Sequence, residues 1–262
     1  MGERRIGNPW IDSIFAFVAL LVLLPVAIFA QAPARSAAGA AKAQVQTQAA
    51  GPPADLSGVW SHRRDEPGWA WSNTTPVPMQ PWAEKVFQYN KDPKDPVAHS
   101  RNEVDPYEAC QPAGVPRIWV IPRPLEIVQV PGRVLIFYEG DHWRRQIWMD
   151  GRAHPKDLEP SWMGHSIGKW DGDTLVVDTV GLKASTWIDS AGHPHSDALH
   201  VVERLRRPDR NTLELTIAFD DPKAFTRVWT AHRVFQYHPD WEISEVVSCE
   251  DRLLNNESYI NR

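Results

Sequence analysis

Two cysteines and fifteen glycines in 262 residues leave several chemistries without their raw material. The glycines form neither a phosphate-cradling loop nor a dinucleotide fingerprint, so nucleotide chemistry has no motif here. The cysteines, Cys110 and Cys249, allow one disulfide at most, closing a very long loop. No serine lies in a nucleophile-elbow context, which leaves hydrolysis through an acyl-enzyme without a candidate. Charge of one sign never accumulates: 28 Lys and Arg are interspersed with 33 Asp and Glu for a net −5, so neither nucleic acid nor an anionic membrane surface is an indicated partner. His193, His195 and His200 lie close together, but nothing supplies a firm further ligand at a known spacing. Neither a metal nor a cofactor is expected. No internal repeat argues for a propeller.

Only one long apolar run occurs, Ile14 to Ala30, behind a polar start carrying Arg4 and Arg5. Ala30-Gln31-Ala32 fits a small-x-small cleavage site, so residues 1–32 read as a signal peptide, with a retained membrane anchor as the alternative. No cysteine follows the run to carry a lipid. Residues 33–54, rich in Ala, Gln, Gly and Pro, read as a disordered linker. Residues 55–262 then form one domain, periplasmic or secreted, touching a membrane only through an uncleaved N-terminal segment. In that setting Cys110 and Cys249 are candidates for a disulfide.

The folded part is abundant in tryptophan, thirteen in the chain, and in short β-prone runs separated by tight turns. Leu56–Trp60 reads as a first strand. A long Pro-rich segment, 61–116, with one helical candidate at Pro81–Tyr89, wraps the sheet or covers an opening. From Arg117 onward strands alternate with turns: Leu125–Val130, Arg133–Tyr138, Trp143–Met149, a hairpin centred on Asp171-Gly172, Leu199–Arg206, Thr212–Phe219, Val228–Tyr237 and Glu242–Cys249. The pattern predicts an all-β fold, an antiparallel β-barrel of lipocalin-like meander topology.

Register selects candidate residues. A two-residue turn at Asp171-Gly172 pairs His165 with Asp178, a general base with its orienting acid. Glu203 falls in the middle of the apolar face made by Leu199, Val201 and Leu205, where a carboxylate needs a partner or a raised pKa. Arg145 lies between Trp143 and Ile147, opposite Ile136 and beside Tyr138, suited to a carboxylate or phenolate. It is equally placed to partner Glu203. A turn centred on Pro239 pairs Arg233 with Glu245 on the face of Trp229 and Phe235. Trp162 adds a further aromatic wall.

The ordered set Cys110-Gln-Pro-Ala-Gly-Val-Pro-Arg117, Asp150-Gly-Arg-Ala-His-Pro155, Trp162-Met-Gly-His-Ser-Ile-Gly168, Gly172-Asp-Thr-Leu-Val-Val-Asp-Thr179 and Leu199-His-Val-Val-Glu-Arg204, behind a lipocalin-like Gly58-Val-Trp60, resembles a large family of uncharacterised exported bacterial β-rich proteins. The resemblance covers about residues 55 to 250 and implies an exported barrel, with no activity to carry over. Two functions are therefore expected from the residues alone. One is a barrel that binds a small apolar or aromatic molecule in its interior, with Arg145, Trp143, Tyr138, Arg233, Glu245 and Trp162 around it. The other is a cofactor-independent isomerase, lyase or cyclase using His165, Asp178 and the buried Glu203.

Overall fold

The computed structural model describes residues 54–65, 70–72, 75–91, 105–107, 109–245 and 249. The expected signal or anchor segment and all but the last residue of the linker lie outside the described residues. Nine strands close into a barrel in chain order: β1 (Gly58–His62), β2 (Leu125–Val130), β3 (Arg133–Tyr138), β4 (Arg144–Trp148), β5 (His165–Asp171), β6 (Thr174–Val180), β7 (His200–Asp209), β8 (Thr212–Asp220) and β9 (Trp229–Tyr237). One helix, α1 (Pro81–Lys91), lies among the described residues of the Pro-rich segment.

The barrel is mixed, which corrects the expected antiparallel meander. β4 and β5 run parallel, with Ile147 beside Ser166 and Trp148 beside Ile167. Residues 149–164 make the return crossover that a parallel pair needs and a hairpin does not. Closure corrects the last expected hairpin as well. β9 pairs with β8 on one side and with β1 on the other, Trp60 opposite Tyr237 and His62 opposite Phe235. With both edges of β9 taken, residues 242–245 form no strand, Glu245 is exposed, and Arg233 lies opposite Leu215 instead.

Two hairpin registers differ from expectation by a turn slipped one residue. The β5–β6 turn closes as Asp171 opposite Thr174 around Gly172 and Asp173, so His165 meets Val180 and Asp178 meets Ile167. Gly172, at φ +62°, takes the first loop position rather than the second. A three-residue turn at Pro208-Asp209-Arg210 would set Glu203 opposite Leu215; the β7–β8 pair instead runs past Pro208 through an irregularity between Arg206 and Asp209, and Glu203 sits opposite Ile217. Moving a turn by one residue shifts partners by two, so every side chain keeps its face while its neighbours change.

Inward side chains fill the barrel: Leu125 and Ile127, Val134 and Ile136, Ile147, Leu175 and Val177, Val201 and Leu205, the alternate residues Leu213, Leu215, Ile217 and Phe219, and Ala231 with Phe235, all essentially inaccessible. The Pro-rich segment completes this core. Trp71 donates its indole N–H to the Ile188 carbonyl, and Ser72 and Met79 bridge to His232 and Phe225. A short 3-10 turn, Arg117–Val120, is buried through all four residues. Its Trp119 packs edge-on against Tyr138, ring centres 5.8 Å apart, so the turn plugs the barrel.

Cys110 and Cys249 form a disulfide across a separation of 139 residues, with Cα atoms 5.5 Å apart. A structural disulfide suits an oxidising compartment outside the cytosol. Closing so long a loop constrains the unfolded chain strongly. Replacing both cysteines by serine is expected to cost about 2–5 kcal/mol, read as a lower urea midpoint; an unchanged midpoint would show that the bond constrains little.

Candidate functional site

The polar residues singled out from the sequence on the central strands fall into two groups, one on each face of those strands. The inner group centres on Glu203 and Arg145, respectively 0% and 2% exposed. Arg145 donates from Nη1 to Glu203 Oε1 at 2.7 Å and from Nη2 to Glu203 Oε2. The same guanidinium reaches Thr179 Oγ1 at 2.9 Å and, through Nε, Ser166 Oγ at 3.2 Å. Trp119 Nε1 donates to Glu203 Oε1 at 2.5 Å. Burial opposes the guanidinium's charge, but the adjoining carboxylate outweighs it and holds the Arg145 pKa above the usual arginine value. Burial likewise pushes the Tyr138 phenol upward. Of the residues expected to hold an interior ligand, Arg145 thus joins Glu203 in one hydrogen-bonded network, while the buried Tyr138 hydroxyl has no hydrogen-bond partner among the described residues.

The others stand apart from it. Trp143 precedes β4 and receives the Tyr138 backbone N–H on its carbonyl at 2.8 Å. Trp162 lies in the 149–164 crossover with Lys183 Nζ 4.5 Å from its ring centre. Arg233 is buried on β9 without Glu245, because β1 occupies the edge where residue 245 was expected. Serine, threonine and tryptophan partners of the ion pair were not legible: Ser166 and Thr179 are short polar residues in apolar strands, and Trp119 arrives from outside the sheet.

The outer group faces away from the core on β5, β6 and β7. His165 and Asp178 share this face but do not touch directly; His154, from the crossover loop, joins them. His154 Nδ1 lies 2.8 Å from His165 Nδ1, and His154 Nε2 lies 2.9 Å from Asp178 Oδ1. His200 Nε2 reaches the same Oδ1 at 3.0 Å. Gly164 allows the crossover to enter β5 here: at φ +63°, any Cβ would stand 2.6 Å from the Val180 carbonyl. Sequence spacing placed His165 and Asp178 on one face but missed His154, since a loop residue carries no periodicity that would aim it.

Proton bookkeeping orders this chain. A carboxylate only accepts, so His154 and His200 each donate Nε2–H to Asp178. Neutral His154 then presents a bare Nδ1, His165 donates Nδ1–H to it, and His165 Nε2 is left as the free basic nitrogen. Burial first, then the repulsion that a protonated His165 would feel from Arg152 and from a protonated His154, lowers the His165 pKa from the usual imidazole value and favours its neutral form. Both nitrogens of His154 are engaged with different neighbours, so the four groups form a line rather than converge on one point. Among the described residues no group of three or more His, Cys, Asp or Glu has the arrangement to hold a metal ion. His193 and His195 bind elsewhere, to Asp189 and to Thr186.

Glu203 faces inward and His165 outward, so the two cannot act on one substrate; the expected three-residue acid/base set is corrected to the outer chain alone. Around that chain Trp148, Ile167, Val180 and Val202 are half-buried on the same outer face. Arg152, forked onto Asp150, lies with its guanidinium carbon 3.5 Å from the Trp148 ring centre. No protein-family model and no curated protein matches the chain.

Two outcomes test this geometry. Glu203→Leu leaves Arg145 buried and unpaired and is expected to cost about 3–5 kcal/mol, while adding Arg145→Met recovers most of it; urea midpoints of the single and double variants decide. His62, at the barrel mouth, has its pKa lowered to about 4, chiefly by burial and then by the Arg233 charge. Because the unfolded imidazole titrates near 6.5, its stabilising contribution is whole above pH 6.5. It shrinks as pH falls and is lost below about 4, a total of about 3 kcal/mol. His62→Gln is expected to abolish that part of the acid sensitivity, measured as the change in unfolding free energy between pH 7 and pH 4.5.

Proposed function

We propose that the protein is an exported, cofactor-independent acid/base enzyme acting on a small apolar or aromatic molecule, with His165 as the base. The observation that carries this is the unbroken chain from His165 through His154 to Asp178, shared with His200. A purely stabilising role explains it poorly. Asp178 and His200 side chains are 41% and 35% exposed, and ion pairs so open to water contribute little to stability. A relay that leaves one basic nitrogen bare at the surface is what proton transfer requires.

The reaction class that balances without a co-reactant is isomerisation of a carbon acid. His165 Nε2 takes a proton from a carbon next to a carbonyl, and the electron pair remains on the substrate as an enolate. Arg152, whose charge is felt at His165, offsets the enolate oxygen. The same proton returns to a different carbon and restores the base. Asp178 holds His154 in the tautomer that accepts from His165 Nδ1–H. Trp148, Ile167, Val180 and Val202 supply an apolar floor for the substrate.

Binding inside the barrel, the lipocalin-like alternative, draws less support, because Arg145 and Glu203 satisfy each other there. The disulfide and the N-terminal apolar run support a periplasmic or secreted location.

Deuterium wash-in from D2O into a panel of small aromatic and cyclic ketones, followed by proton NMR, tests the proposal. At least one ketone is expected to exchange in the presence of the protein, with a rate that rises with pH to a plateau once His165 is neutral. His165→Gln is expected to slow that exchange by about 10²–10⁴-fold with the circular dichroism spectrum unchanged. Equal exchange by the variant, or no exchange of any ketone above background, sinks the assignment.

A further inference from the structure

Far round the barrel from β5 to β7, at the end of β1, lies an open cleft of about 440 Å3 lined by Ser61, His62, Arg63, Arg64, Pro122, Arg123, Pro124 and Trp241. Its volume is that of a small-molecule site. Among the described residues no acidic side chain lines it. Arg63 is forked onto Asp65 through Nε and Nη2. Among the described residues, neither Arg64 nor Arg123 has a carboxylate partner. In a chain of net charge −5 this is a local reversal of sign, which draws anions.

The lining also carries an aromatic surface. Trp241 is 48% exposed, yet its ring is not loose. It stacks on His238 with centres 3.6 Å apart and planes 11° from parallel, and His238 Nε2 is in turn 2.8 Å from Ser61 Oγ. One face of the indole is thereby fixed against protein. Pro122 and Pro124 flank Arg123, and the chain bends there, the Arg123 N–H donating to the Ile121 carbonyl at 2.7 Å, so the prolines restrict the backbone that carries this arginine.

We propose that this cleft binds an aromatic monocarboxylate, its planar body against the Trp241 indole and its carboxylate between the Arg64 and Arg123 guanidinium groups. The two-pronged donor geometry of arginine matches a carboxylate, and the exposed indole rewards a flat apolar body more than a bare inorganic anion. The site is separate from the His165 relay and does not depend on it.

Isothermal titration of the full-length protein with benzoate tests this, against benzyl alcohol and inorganic phosphate as controls. Benzoate is expected to bind at one site, more weakly as salt rises. Arg64→Ala/Arg123→Ala is expected to weaken it at least tenfold and Trp241→Ala about fivefold. All three residues are exposed, so the variants keep the fold. His165→Gln is expected to leave the affinity unchanged, which keeps this result distinct from the fate of the proton-transfer proposal. Benzyl alcohol binding as well as benzoate would remove the arginines from the explanation. Phosphate binding as well would remove the indole. No benzoate binding at 10 mM, or an unaltered affinity in the double arginine variant, overturns the proposal.

Discussion

The Arg145–Glu203 pair is the constraint on which the rest of the barrel depends. A closed barrel has no edges at which a charge can turn to water, so a carboxylate on its inner wall must be answered from within. Arg145 answers from β4 and Glu203 from β7, across β5 and β6, and the strands between contribute Ser166 and Thr179 to the same guanidinium. A further lone pair, on Oε1, is met by Trp119, delivered by the buried Arg117–Val120 turn. The closed barrel, the inserted plug and the satisfied pair therefore depend on one another. Such a pair adds little net stability, since desolvation offsets its attraction, but it strongly penalises any arrangement that leaves one member alone.

That dependence also bears on what an interior ligand would have to replace. A ligand taking the place of Trp119 would have to supply the hydrogen bond to Glu203 and fill the space of an indole. The same residues that look like polar anchors in an apolar pocket, when only their sequence positions are known, become a self-contained network once their partners are visible. Polar groups with capacity to spare are gathered on the outer face and in the cleft at the end of β1, which is why the two proposals are placed there.

How much of this was legible in the sequence follows from the range of each signal. Strands β2 and β3 were read to the residue, because Pro131-Gly132 is a local turn signal between alternating runs. Arg145 opposite Ile136 followed from the same kind of local geometry. The hairpins at Gly172 and at Arg210 were each placed one residue off, which preserved the face of His165, Asp178 and Glu203 and altered only their neighbours. The errors of topology were all long-range. Nothing local says that β9 will pair with β1 rather than fold back on residues 242–249, or that β4 and β5 will lie parallel across a crossover. His154, lying in that crossover, could be assigned a partner only after the crossover was seen.

The two polar groups are linked by the alternation of the strands that carry them. On β5, His165 faces out and the next residue, Ser166, faces in to Arg145. On β6, Asp178 faces out and Thr179 faces in to the same guanidinium. On β7, His200 faces out and Glu203 three residues later faces in. Each inward hydrogen bond fixes the rotation of a strand about its own axis, and thereby the direction of the outward neighbour. A relay of half-exposed imidazoles would gain little order from its own weak, water-screened contacts. It inherits order from the ion pair behind it, which is dry, geometrically demanding and intolerant of slippage. The cleft at the end of β1 is tied to the same frame, for His62 in its lining lies 2.9 Å from the Trp119 carbonyl while the Trp119 indole holds Glu203. A single buried charge pair can thus position chemistry on surfaces it never touches.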